Sequence, residues 1–149
     1  AYILESIKAL GKLKSYKMHI AWDDGEADGE FIFGMVTNTT SVGGFSGLAP
    51  KDVSFHDGLF EGLFIRTPKS PVDIPNILSG LLLFPEQENK DMIRFKSSKF
   101  TVTADEDVPW VLDGEFGGAV KEAKIENVKE AVTLSCSPEP EKKEEKTEN

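Results

Sequence analysis

The sequence predicts a mainly β domain, a two-layer antiparallel β-sandwich or distorted barrel with one or two flanking helices. Three observations carry this. Tyr16, Met18, Ile20 and Trp22 alternate with Lys17, His19 and Ala21, the period of two that sets one face of a strand on a core. From Asp91 onward one strand-like stretch follows another. Helical periodicity is confined to two short segments.

In chain order, Ile3, Ile7, Leu10 and Lys14, with Leu4 and Leu13 beside them, give an amphipathic helix over about Tyr2 to Lys14. The strand Tyr16 to Trp22 follows, and DDGEADGE reads as a turn into the strand FIFGMV. TNTTSVGGFSGLAP is too rich in Gly, Ser and Thr for a strand and reads as a long loop, a kind uncommon without a function. LFEGLFIRT resumes β character. Asp73 as a cap, the early Pro75, and Ile74, Ile77, Leu78 and Leu81 at helical spacing then mark a second helix. DMIRFK, KFTVTA, PWVLDGEF and a last stretch from Lys124 to Leu134 read as strands. There is no internal repeat.

The chain of 149 residues has room for one domain with a core of its own. We expect it to occupy residues 1–134. The Pro- and Glu-rich end, SPEPEKKEEKTEN, carries no large apolar residue to offset its ordering entropy, so residues 135–149 are expected to be a disordered acidic tail.

A formal net charge of −9 without a basic, aromatic-studded stripe argues against nucleic acid as a partner. The single cysteine, Cys136, rules out an internal disulfide framework and fits a reducing cytoplasm. The longest apolar run, Ile77 to Phe84, is broken by Ser79 and Gly80 and falls short of a membrane-spanning helix. The start lacks a secretory signal and an initiator methionine, which fits an excised piece of a longer chain.

Two Asp-Gly dipeptides stand out, in His56-Asp57-Gly58-Leu59 and in Asp113-Gly114-Glu115-Phe116-Gly117-Gly118. Each is first of all a hairpin turn, because the tight turn needs positive φ. The chemical alternative for Asp57 is an oxygen-only site for magnesium or calcium, made with neighbouring carbonyls. For Glu115 it is a general base, a carboxylate between glycines that a substrate hydroxyl can approach closely. His19 and His56 lack metal-site spacing, and His19 reads as a solvent-facing strand residue. No G-x-S-x-G elbow, G-x-G-x-x-G or phosphate-loop motif occurs, so Gly43 and Gly44 read as a flexible bend. Trp110, Phe116 and the run Leu81 to Phe84 read as core.

In their order, N-T-T-S-V-G-G-F-S-G-L-A-P at Asn38 to Pro50, S-F-H-D-G-L-F at Ser54 to Phe60 and V-L-D-G-E-F-G-G at Val111 to Gly118 resemble the C-terminal domain of the bacterial diacylglycerol kinases and related lipid kinases. The match runs from the opening helix to about Leu134. In that family an N-terminal domain carries a G-G-G-D-G-T nucleotide loop, which this chain lacks. The resemblance therefore implies the substrate-side half of an enzyme that uses ATP and Mg to phosphorylate a lipid hydroxyl, with diacylglycerol the first choice, and inactive without its N-terminal nucleotide-binding partner.

Carried over residue by residue, Glu115 matches the family's proton acceptor and Asp57 its magnesium site, joined there by backbone oxygens of Ser54 and Leu59. Asn38 fits the family's Asn at the end of the strand before the glycine loop, although that loop is commonly richer in glycine than here. The resemblance also implies cytoplasmic location with a peripheral contact at the inner face of the membrane, for which Leu81 to Phe84 are weak candidates, and leaves room for a homodimer. A rival of another class is a non-enzymatic β-sandwich ligand-binding module. The NAD kinase group is a closer enzyme rival but fits the paired motifs less well.

Overall fold

The computed structural model describes residues 13–39, 54, 57–70, 72–82 and 87–132. The expected opening helix, the glycine loop beyond Thr39, His56 and the acidic tail lie outside the described residues.

The domain is mainly β, as expected. Its strands are β1 (Tyr16–Trp22), β2 (Gly25–Thr37), β3 (Phe60–Arg66), β4 (Met92–Ser97), β5 (Lys99–Leu112) and β6 (Glu115–Glu126), with helix α1 (Asp73–Leu82) between β3 and β4. They form one antiparallel sheet in the order β4-β3-β2-β1-β5-β6.

Three boundaries differ from expectation. Asp23-Asp24 alone make the first turn, and GEADGE is already strand, its register running from Trp22↔Gly25 to Tyr16↔Phe31. KFTVTA and PWVL are one strand, because the acidic Asp105, Glu106 and Asp107 between them need only a face open to water, and the register slips there between Thr103 and Val108. The last strand starts at Glu115 and stops at Glu126 instead of spanning Lys124 to Leu134.

The sheet cannot be flat. β4 and β5 stand four places apart in its order, about 19 Å in a flat sheet, yet Ser98 alone joins them, a span of roughly 7 Å. The sheet therefore folds over itself into two layers that share the long strands β2 and β5. β2 pairs with β1 through its first half and with β3 through its second, with a register shift between Phe31 and Phe33 at the bend.

Between the layers lies the main core of Met18, Ile20, Phe31, Phe64, Phe100 and Val102. Phe95 of β4 crosses the gap. It stacks on Trp22 of β1 with centroids 4.4 Å apart and meets Phe100 of β5 edge-on at 5.6 Å. Gly62, its partner across the β3–β4 ladder, leaves room for the ring, since a Cβ there would collide with it. A second core of Leu63, Ile65, Ile77, Leu81 and Met92 joins the outer face of β3 and β4 to α1. β3 is thus buried on both faces, which explains the nearly unbroken apolar run FEGLFIR.

Side chains fasten the corner that the single-residue link creates. Ser98 donates its backbone N–H and its hydroxyl to Asp23 Oδ2, each at 2.8 Å, and the Asp23 N–H donates to Ser97 Oγ at 3.0 Å. Asn127 N–H donates to the Ser98 carbonyl at 2.7 Å.

The Ser98 hydroxyl and N–H hold the Asp23 carboxyl below its usual value near 3.8. A depressed carboxyl stabilises the fold above its unfolded pKa, and that support fades as pH drops through the lower folded value. Asp23→Ala should therefore melt below wild type at pH 7, with the gap narrowing once the pH falls below 3.8. A constant gap from pH 7 to pH 2.5 in thermal melts would separate the clasp from the charge.

Candidate functional site

Asp113-Gly114 is a two-residue hairpin turn. Leu112 pairs with Glu115, and φ is +49° at Asp113 and +92° at Gly114, the double positive φ of a type I′ turn. The plain reading of this Asp-Gly is therefore correct, and it also places Glu115. As the first residue of β6, Glu115 stands exposed at the apex, across the ladder from Leu112. Just behind it, Phe116, Gly117 and Gly118 oppose only Val111 and Trp110, a bulge completed by Gly118 at φ +108°.

Two residues back from Leu112, Trp110 lines a cleft of about 200 Å³ between the layers. Its other walls include Tyr16, Met18, Phe33, Phe64 and Val108, so it is largely apolar. Glu115 does not line this cleft itself; it lies further along the same hairpin, opposite Leu112.

Asp57 occupies the opposite end of the molecule. Its Oδ1 accepts the Leu59 N–H at 2.9 Å across Gly58, which has φ +79°. The Leu59 carbonyl in turn accepts Asn127 Nδ2 at 3.3 Å. Since Asn127 directly follows β6 and Glu115 begins it, the two candidate residues are separated by about 35 Å along that strand, at roughly 3.3 Å per residue. The structure does not bring Asp57 and Glu115 together.

Around Asp57 the described contacts are internal to the turn: one carboxylate oxygen accepts the Leu59 N–H, the Leu59 carbonyl accepts Asn127, and both Asp57 and Ser54 are exposed. Among the described residues no group of three or more His, Cys, Asp or Glu side chains gathers, so a cation here would lean on backbone oxygens.

Other residues fall as follows. His19 is part-exposed and 3.0 Å from Asp28, in line with a solvent-facing strand position. Asn38 directly follows β2, and its side-chain oxygen is enclosed without a hydrogen bond. Asp73 opens α1, but its carboxylate accepts the N–H groups of Lys69 and Ser70, anchoring the preceding loop. Leu81 is 7% exposed within the α1 core, so it cannot serve a membrane contact. Phe116, expected in the core, is 73% exposed instead, because it faces outward beyond the last strand that could cover it.

The sequence reading passed over Glu61 and Asn127. Glu61 is 2% exposed on β3, 3.8 Å from Lys96 on β4, and its signal was a charge inside an apolar run. Asn127 gave no signal, since its role depends on partners distant in sequence.

No family model matches the chain. It is similar to the diacylglycerol kinase of Bacillus subtilis (strain 168), 32% identical over 118 residues, 79% of this chain and 38% of the relative. It is also similar to the diacylglycerol kinase of Staphylococcus haemolyticus (strain JCSC1435), 25% identical across 100% of this chain and 44% of the relative. The chain thus spans about two fifths of the curated relatives it matches. Among solved structures, a Bacillus anthracis str. Sterne protein provisionally named a diacylglycerol kinase aligns with TM-score 0.68 and 20% identity over 86% of this chain and 43% of its own. A diacylglycerol kinase of the same strain aligns with TM-score 0.55 and 16% identity over 83% of this chain and 44% of its own.

Gly114 meets nothing within 4 Å, so a side chain there pays only for the left-handed backbone. Gly114→Ala should cost about 1 kcal/mol, whereas Asp113→Asn, which tolerates the same conformation, should stay within about 0.5 kcal/mol of wild type. Urea unfolding of both variants measures this.

Proposed function

Given its match to the diacylglycerol kinase family, consistent with the C-terminal domain, we propose that the chain is the substrate-side domain of a lipid kinase that turns diacylglycerol into phosphatidic acid. The observation that carries this reading is Glu115, set exposed at the apex of a tight turn on the hairpin whose strand β5 also supplies Val108, Pro109 and Trp110 to an apolar cleft. ATP would be held by the part of the longer protein that this chain does not span, so the chain alone would be inactive.

In this reading the lipid's hydrocarbon lies along Tyr16, Phe33 and Trp110 and its free hydroxyl reaches Glu115. The hydroxyl oxygen attacks the γ-phosphorus, the bond from that phosphorus to the β,γ-bridging oxygen breaks, and ADP leaves. Glu115 takes the hydroxyl proton as the new bond forms. The surrounding glycines, with Gly117 packed under Leu112, let the phosphoryl donor approach without obstruction. Magnesium bound with ATP would offset the phosphate charge.

A second divalent ion would be held by Asp57 with the Ser54 and Leu59 carbonyls. At the far end of β6 it would brace the fold, not the chemistry. Asn127, which already orients the Leu59 carbonyl, would steady that site.

In the longer protein, Glu115→Gln should leave folding intact and lower kcat by on the order of 10² to 10⁴, the range for a general base. An unchanged kcat with a raised KM would instead make Glu115 a positioning residue. Phosphate transfer by this chain alone, above a Glu115→Ala control, would overturn its dependence on a partner domain.

Excess magnesium or calcium should raise the melting temperature of the wild-type chain relative to chelator by mass action, and Asp57→Asn should abolish the rise. Superimposable melts in all four conditions would leave Asp57 a turn residue, already explained by its bond to the Leu59 N–H.

A further inference from the structure

Glu115 and the apolar cleft share one face of the β5–β6 hairpin. Val108 and Trp110 both line the cleft, and Leu112 continues their alternation along β5. Glu115 stands directly across the ladder from Leu112, and opposed residues of an antiparallel pair point to the same side. The step from Trp110 to Leu112 is two residues long, roughly 7 Å.

That step is apolar. Gly117 lies between Glu115 and Gly118, the partner of Trp110, and a Cβ on it would meet the Leu112 side chain at 2.7 Å. Leu112 thus covers the gap between the cleft and the carboxylate, and at 63% exposure it is open to a molecule lying along it.

The cleft itself is small. Its volume of about 200 Å³ holds roughly seven methylene groups, each close to the 30 Å³ of a water in the liquid. Among the described residues only the Tyr16 hydroxyl and the Trp110 indole N–H bring polar side-chain groups to its wall. An ester drawn inside would lose its water with little to replace it. The space fits the first part of one hydrocarbon chain, with the ester left outside along Leu112. An extended chain gains roughly 1.2 Å per bond, a third of the rise of one residue, so the 7 Å step corresponds to about six bonds. That is the path through glycerol and ester from a free hydroxyl oxygen to the first methylene of an acyl chain.

We propose that the cleft takes a single acyl chain to a depth of roughly seven carbons, that Leu112 spaces this chain from Glu115, and that monoacylglycerols are therefore substrates as good as diacylglycerols. The inference rests on the lipid-kinase reading of this site and narrows its substrate class. The second chain of a diacylglycerol stays outside the cleft and adds nothing to its recognition. With a monoacylglycerol the transfer is the same: the hydroxyl oxygen bonds to the γ-phosphorus of ATP, Glu115 takes the proton, and ADP leaves.

The test uses the full-length protein with 1-monoacylglycerols in one detergent micelle. Because each buried methylene is worth up to about fourfold, kcat/KM should rise at least tenfold from a four-carbon to an eight-carbon chain. From eight carbons to sixteen it should change less than twofold, and monooleoylglycerol should come within about threefold of dioleoylglycerol. A monoacyl substrate a hundredfold worse than its diacyl counterpart would overturn the single-chain cleft, and a rise continuing unbroken to sixteen carbons would overturn its depth. Val108→Phe, which narrows the cleft, should remove most of the gain at eight carbons and leave the four-carbon substrate within about twofold. An equal loss at both lengths would take the chain out of this cleft. Leu112→Ser should raise KM several-fold with kcat little changed, and an unchanged KM would remove Leu112 from the path.

Binding to this chain alone is read without catalysis. A monoacylglycerol whose eight-carbon chain ends in two bromines should quench tryptophan fluorescence saturably, and Trp110→Phe should abolish the quenching; quenching that survives this change would overturn the site. Quenching at Trp110 without phosphorylation of any acylglycerol by the full-length protein would retain the chain-binding cleft and remove the kinase reading. Phosphorylation of diacylglycerol without quenching would do the reverse.

Discussion

A single residue between β4 and β5 governs this fold. Because Ser98 must join strands four places apart in the sheet, the sheet has to close on itself, and the rest of the packing follows. Closure brings Phe95 onto Trp22 and Phe100, encloses the main core, and forces β2 and β5 to run through both layers. Such a corner leaves backbone groups that no ladder can satisfy, and Asp23, Ser97 and Asn127 satisfy them.

Closure also divides the molecule into two unlike ends. At one, the β1–β2 turn, the β4–β5 link, the turn at Asp57 and the exit from β6 are tied together through Asp23, Ser98, Leu59 and Asn127. At the other, β5 and β6 run on to an apex beside which no third strand pairs among the described residues. A rigid base and a projecting tip suit different tasks, bracing the fold and meeting a substrate or partner.

Much of this was legible in sequence wherever the signal was local. The alternation from Tyr16 to Trp22, the helix at Asp73 and the Asp113-Gly114 turn each depend on residues within one element, and each is found. Two of the boundary errors have a common cause, reading a polar run as a break. GEADGE and DEDVP are strand because an antiparallel sheet can leave one face in water, a fact of tertiary position. Likewise Leu81 and Phe116 look alike as apolar letters, and only the layer that covers one and not the other tells core from surface. The partners of Asp57 and Glu115 were chosen through a family resemblance. The distance between the two residues was invisible until β6 was seen to run unbroken between their ends.

The register slip in β5 has a mechanical meaning. Between Thr103 and Val108 the ladder to β6 is interrupted, so the hairpin is a shaft with one joint in it, set between the anchored sheet and the tip. Ala104 and Val108 at its two ends pack on the main core, while two ion pairs open to water span it, Lys14 on Glu106 and Lys17 on Asp105. Contacts of that kind weaken as salt screens them, while the packed base hardly notices. Salt therefore weakens only the exposed share of what holds the joint, and the apolar contacts at its two ends remain.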